Sequence, residues 1–173
     1  MAVRWLDRAL LILFAFTSFM SLVYAPLFVF GCGWDGLKLG PEGPCGADWV
    51  GRAWLGYTQI EPLYADAPLW LRLVNELDMF FFSWFYLLSF VTFARSRQDG
   101  GAYRLLATFM AGMMTYAIGF YLIWELLSWR QTGAQIGQVI AYNGLWLLVF
   151  GLLMLRLHVL RPPSELTPER NLS

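Results

Sequence analysis

Glu76, Asp78, Glu125 and Asn143 sit inside runs of aliphatic and aromatic residues that look fit only for lipid. An ionisable group at membrane depth costs roughly 2.5–3.5 kcal/mol even on the gentlest insertion scale, so chains keep it where it faces a bundle interior, a cavity or a ligand. A carboxyl group in a dry aromatic pocket can hold a proton near neutral pH. Such a group can act as a general acid or pair with a ligand cation. Four polar groups of this kind point to one site, and the elements that carry them decide whether they meet.

Four apolar segments are long enough to span a bilayer, roughly 9–30, 69–94, 105–127 and 136–155. The first is charge-free and is read as a retained span, because Pro26-Leu27-Phe28-Val29-Phe30 offers no small-residue cleavage site. The chain is 58% hydrophobic and 18% aromatic with only 14% charged residues, against about 25% charged in ordinary soluble domains. With 173 residues it has room for a single domain. The expected fold is an all-α bundle of four transmembrane helices, with a long extracytoplasmic loop over 31–68 between helices one and two.

Net charge is zero, and nothing in the chain offers a footprint for nucleic acid. His158 is the single histidine, which leaves no His-rich metal site, and no cofactor motif is present. Arginines set the orientation. Arg4 and Arg8 precede the first span, Arg95, Arg97 and Arg104 join the second to the third, and Arg156, Arg161 and Arg170 follow the fourth. The 31–68 connection instead carries Asp35, Glu42, Asp48, Glu61 and Asp66 against Lys38 and Arg52. Both termini are expected in the cytoplasm, with the loop in a periplasm or lumen. Cys32 and Cys45 fall in that loop, where an oxidising compartment permits a disulfide. It would close a loop of about 14 residues and stabilise by roughly 3 kcal/mol; two unpaired thiols are the alternative.

On this topology the polar groups share one outer-half layer. Glu76 lies about 9 Å down from the start of its helix, Asn143 about 10 Å down, and Glu125 about 5 Å from the same face, at 1.5 Å per residue. Tyr24, Phe80, Trp84, Tyr121, Trp124, Tyr142 and Trp146 are placed around them as the apolar wall of a small-molecule pocket. Glu76 and Asp78 are two residues apart, about 200° around a helix, so both cannot point squarely inward. Asp78 shares its face with Asn75 and Phe82. Structural alternatives stand beside each assignment: an Arg72–Glu76 pair one turn apart, Glu125 paired with Arg130 at the water boundary, and Asn143 as interhelical glue.

Three segments resemble the EXPERA family of membrane proteins, which includes the emopamil-binding sterol isomerases and the sigma-two receptor. YNGLWLLVFGLLML (142–155) carries an Asn-x-Leu-Trp pattern on Asn143, Leu145 and Trp146. YAIGFYLIWE (116–125) supplies Tyr116, Tyr121 and the terminal Glu125, and YADAPLWLRLVNELDMFFFSWF (64–85) places the family glutamate on Glu76. The first helix departs from the pattern, for Ser21 and Ala25 stand where the isomerases carry a His and a Glu. The resemblance implies a membrane-embedded isomerase acting on a sterol, steroid or terpenoid. Glu76 would be the acid, Glu125 or Asp78 the base, and Asn143 and Trp146 the groups that orient and shield a carbocation. A non-catalytic binder or trafficking factor for hydrophobic amphiphiles is the alternative, favoured by the missing pair. A homodimer is implied by analogy alone, and a bundle subunit of a larger complex is the third reading.

Overall fold

The computed structural model describes residues 2–160, so Arg161 and Arg170 lie outside the described residues. In chain order the helices are α1 (Val3–Lys38), α2 (Trp49–Ile60), α3 (Leu63–Asp66), α4 (Leu69–Ala94), α5 (Gly101–Thr132) and α6 (Ile136–Val159). Four of these, α1, α4, α5 and α6, are long and apolar enough to cross a membrane. Their outward faces carry the expected lipid-facing residues, among them Ile12, Leu105, Phe109, Ile123 and Leu127. This is a multi-pass membrane protein.

The stretch 31–68 differs from the open loop read from sequence, because most of it is helical. Gly33 takes φ +67° and ψ 167°, a region essentially reserved for glycine, and turns the end of α1 over the bundle. Cys32 and Cys45 are joined by a disulfide that ties this end of α1 to the turn before α2. Asp48 caps α2 by accepting the Gly51 amide at 2.8 Å. Gly51 itself sits so close to Cys45 that a Cβ there would stand 2.3 Å from the Cys45 carbonyl oxygen. Pro62 and Pro68 stop and restart the chain around α3. The apolar side of α2 and α3 is laid on one end of the bundle, where Trp34, Val50 and Tyr64 join Phe28, Leu71, Tyr121 and Val139 in one buried cluster. The 31–68 segment is a cap.

The spanning helices pack α1 against both α4 and α6, and α5 against α6. At the end away from the cap they form a solid core of Leu10, Phe14, Phe85, Tyr86, Met110, Phe150 and Leu153. Here Arg156, only 1% exposed, is gripped by two carboxylates. Its Nη1 and Nη2 donate to the two oxygens of Asp99 at 2.8 and 3.1 Å, and its Nε donates to Asp7, which also accepts from Gln98. The arrangement locks α6 to α1 and to the α4–α5 turn. Toward the cap the helices are looser. Wide π-helical turns occur in α1 at Met20–Tyr24 and Phe28–Cys32, on either side of Pro26, whose ring and missing N–H disturb regular helix. A third occurs in α4 at Asp78–Phe82 and packs against the first of them. Such turns are frequent at functional sites.

Candidate functional site

Between the solid core and the cap lies a cavity of about 1010 Å³. Its deep wall is apolar, with Phe16, Met20, Phe82, Met113 and Met114, and its roof is Trp34, Trp54, Tyr57 and Tyr64 of the cap. The volume matches the upper end of ordinary ligand pockets, roughly 1,000 Å³. Polar groups enter in layers one helical turn apart.

Asp78 is the carboxylate that lines this space. The facing wide turns of α1 and α4 bring Ser21 to it, and Ser21 Oγ donates at 3.2 Å. Tyr86, two turns further along α4, donates its hydroxyl at 2.5 Å, and the Trp146 side chain of α6 stands beside the carboxyl group. Two neutral hydroxyl donors thus hold a carboxylate at membrane depth. Asp78 has coordination to spare, since a carboxylate offers about four lone-pair sites.

One turn closer to the cap is a neutral layer. Asn143 Nδ2 donates to Tyr57 Oη at 3.2 Å and to the Val139 carbonyl at 2.9 Å. Asn75 Nδ2 donates to Tyr64 Oη at 3.3 Å and to the Leu71 carbonyl at 2.8 Å. Tyr57 and Tyr64 pack edge to face, and burial pushes both phenols above their ordinary value, so they stay neutral. Tyr121 Oη faces Tyr57 without completing a hydrogen bond.

Behind this layer, Glu61 from the end of α2 and Glu125 from α5 are both fully buried. Their carboxyl groups face each other. Glu61 Oε1 accepts from the Leu63 amide at 3.1 Å, while the other three oxygens complete no hydrogen bond. Two carboxyl groups can bond to one another only when one carries the proton. A proton shared between them would account for a buried acidic pair with no cation among its hydrogen-bond partners. Glu125→Gln, whose amide can donate to Glu61, is therefore expected to fold at least as stably as wild type. Glu125→Ala is expected to lose about 1–3 kcal/mol by orphaning Glu61. Unfolding midpoints in mild detergent separate the two, and equal damage from both variants would speak against the shared proton.

The structure brings together Asp78, Asn143, Tyr24, Tyr121, Tyr142 and Trp146, all on the cavity wall. It does not bring Glu76 or Glu125 to that wall. Glu76 Oε1 accepts from Trp34 Nε1 at 3.0 Å and holds the cap, because the helical angle that turns Asp78 inward turns Glu76 away. Phe80 and Trp84 are 61% and 42% exposed and face outward. Trp124 packs on Trp70 at the rim. The alternative pairings are also absent: Arg72 bonds Asp35 at 3.1 Å, and Arg130 lies over the Trp129 ring. Ser21 and Ala25, the positions of the missing first-helix pair, touch the site by bonding Asp78 and by lining the cavity. Sequence reading missed Tyr57, Tyr64, Asn75 and Glu61 as site residues. Asn75 stood in view as a face-mate of Asp78; the others lay in a segment read as loop. Among the described residues no cluster of side chains is suited to hold a metal ion. Comparison with protein-family models, with curated proteins and with solved structures gives no match.

Proposed function

We propose that this protein binds a hydrophobic amphiphile within the membrane and anchors its cationic group at Asp78. The carrying observation is a carboxylate on the wall of a large apolar cavity, held by Ser21 and Tyr86. A cation there gains a charge-assisted bond in a low-dielectric site. The apolar tail lies along Phe16, Met113 and Phe82 toward the middle of the bilayer. The resemblance to EXPERA proteins, with their binders of amphiphilic amines, supports the same reading. Arginine placement supports cytoplasmic termini, which puts the cap and cavity on the extracytoplasmic side; a homodimer rests on the resemblance alone.

Trp34, Trp54 and Trp146 line the cavity and report its occupancy. Titrating the purified protein in nanodiscs with a single-chain alkylamine is expected to change tryptophan emission saturably. The alcohol of equal chain length is expected to act far more weakly. A linear response, equal for amine and alcohol, would mean partition into lipid and no site.

A second reading is double-bond isomerisation of a sterol or terpenoid. It is favoured by the hydroxyl layer of Tyr57 and Tyr121, which lines the cavity with Asp78 and is backed by the buried Glu61–Glu125 pair. The proton added to one carbon would come from that layer and the proton removed from another would pass to Asp78. Incubation with candidate sterols in deuterated buffer tests it: deuterium in a product of shifted double bond supports the enzyme, and unchanged lipid supports the binder.

A further inference from the structure

Tyr121 presents an uncommitted hydroxyl to the cavity. Its side chain is only 2% exposed, it lines the cavity, and its Oη completes no hydrogen bond. The neighbouring polar groups are engaged, Asn143 with Tyr57 and Val139, and Asn75 with Tyr64 and Leu71. A buried hydroxyl left without a partner is destabilising. A ligand oxygen that completed the bond would recover that cost. Tyr121 belongs to the layer of Tyr57 and Tyr64. Asn75 of that layer is three residues from Asp78 along α4, and Asn143 is three residues from Trp146 along α6, which puts the two layers on the order of 4.5 Å apart.

We propose that Tyr121 forms a second polar subsite, which takes a hydroxyl oxygen of the ligand one turn toward the cap from the cation held by Asp78. The preferred ligand class is then a long-chain amino alcohol, with nitrogen and oxygen on neighbouring carbons or nearly so. A plain amine leaves Tyr121 unsatisfied, and a plain alcohol leaves Asp78 without its counter-charge. The inference rests on the cavity being an amphiphile site anchored at Asp78. The hydroxyl can serve either as donor to the ligand oxygen or as acceptor from it, so the ligand's oxygen meets a match in either orientation.

The test uses three saturated probes of one chain length: a 2-amino alcohol, an alkylamine and an alkanol. Their affinities are measured by tryptophan emission on wild type, Tyr121→Phe and Asp78→Asn in nanodiscs, with the unfolding midpoint of each variant checked first. The amino alcohol is expected to bind wild type about tenfold tighter than the amine. That ratio is expected to fall to near one in Tyr121→Phe, which keeps the ring and removes only the oxygen. Equal affinities of amino alcohol and amine for wild type, or a ratio that survives in Tyr121→Phe, would overturn the subsite alone. An amine that fails to bind, or that binds Asp78→Asn as tightly as wild type, would overturn the anchor and the subsite together. Should Tyr121→Phe unfold, Tyr121→Leu and the probe ratio on wild type still decide the matter.

Discussion

Arg156→Ala is expected to cost about 3–5 kcal/mol, the usual penalty for breaking a buried ion pair by removing one partner. Arg156 is among the largest fully buried side chains of the described residues and carries its charge into the end of the bundle away from the cap. Asp99 receives two parallel bonds from its guanidinium, and Asp7 receives the Nε bond. Removing the arginine leaves two carboxylates facing each other across a cavity, with Gln98 alone still bonded to Asp7. Arg156→Lys is expected to recover part of the loss, because a point charge can neutralise one carboxylate but cannot form the two-bond fork. Arg156→Met with Asp7→Asn and Asp99→Asn is expected to fare better than Arg156→Ala, since no charge is then orphaned. Unfolding midpoints in detergent mixtures rank the series. Wild-type stability in Arg156→Ala would show that the lock contributes nothing. Because this end lies away from the cavity, the lock and the site are separable.

The second large effect concerns the site. Asp78→Asn is expected to weaken binding of a single-chain alkylamine by roughly thirtyfold or more, as loss of one member of a buried charge pair costs about 2–5 kcal/mol. The change is nearly isosteric, and the amide oxygen can still accept from Ser21 or Tyr86. The fold is therefore expected to survive while the counter-charge is lost. Ser21→Ala removes one of the donors that favour the charged carboxylate and is expected to weaken the same ligand by a smaller factor. Glu76→Gln discriminates between the two neighbouring acids. Its carboxylate holds Trp34 in the cap, and the amide oxygen can accept the same bond, so amine affinity is expected to change little. A larger loss in Glu76→Gln than in Asp78→Asn would move the anchor to Glu76.

The spanning helices were legible in the sequence because bilayer thickness imposes a length, and apolar runs of that length have few other uses. Helix ends were less so. α1 continues past residue 30 to Lys38, since the Gly/Pro-rich composition that signals a loop also permits the positive φ at Gly33 and the close approach at Gly51. The cap was hidden for a related reason. α2 has only 12 residues, far too few for a span, and its aromatic residues read equally well as an interfacial belt. Asp48 followed by Gly51, with Pro62 beyond, was the available start and stop signal for that helix.

The site was legible as a face and not as a residue. Counting along α4 showed that Glu76 and Asp78 cannot both point inward, and it grouped Asp78 with Asn75 and Phe82, which all line the cavity. Choosing between the two acids needed the tertiary partners, Ser21 and Trp146 for one and Trp34 for the other. Each lies on a helix other than α4. The Glu61–Glu125 contact joins residues 64 positions apart through a cap that sequence did not reveal, so no local pattern could have announced it. Asn143 and Trp146 were found because they lie on a spanning helix whose register sequence does fix.

Photolabelling locates the ligand directly. An alkylamine with a diazirine midway along its chain, activated on the protein in nanodiscs and mapped by peptide mass spectrometry, should label the cavity wall. The account predicts adducts on Phe16, Met20, Met113 or Phe82, lost when unlabelled amine competes and strongly reduced in Asp78→Asn. Adducts confined to lipid-facing residues such as Ile12, Leu105 and Phe109, unchanged by competitor or by Asp78→Asn, would contradict it.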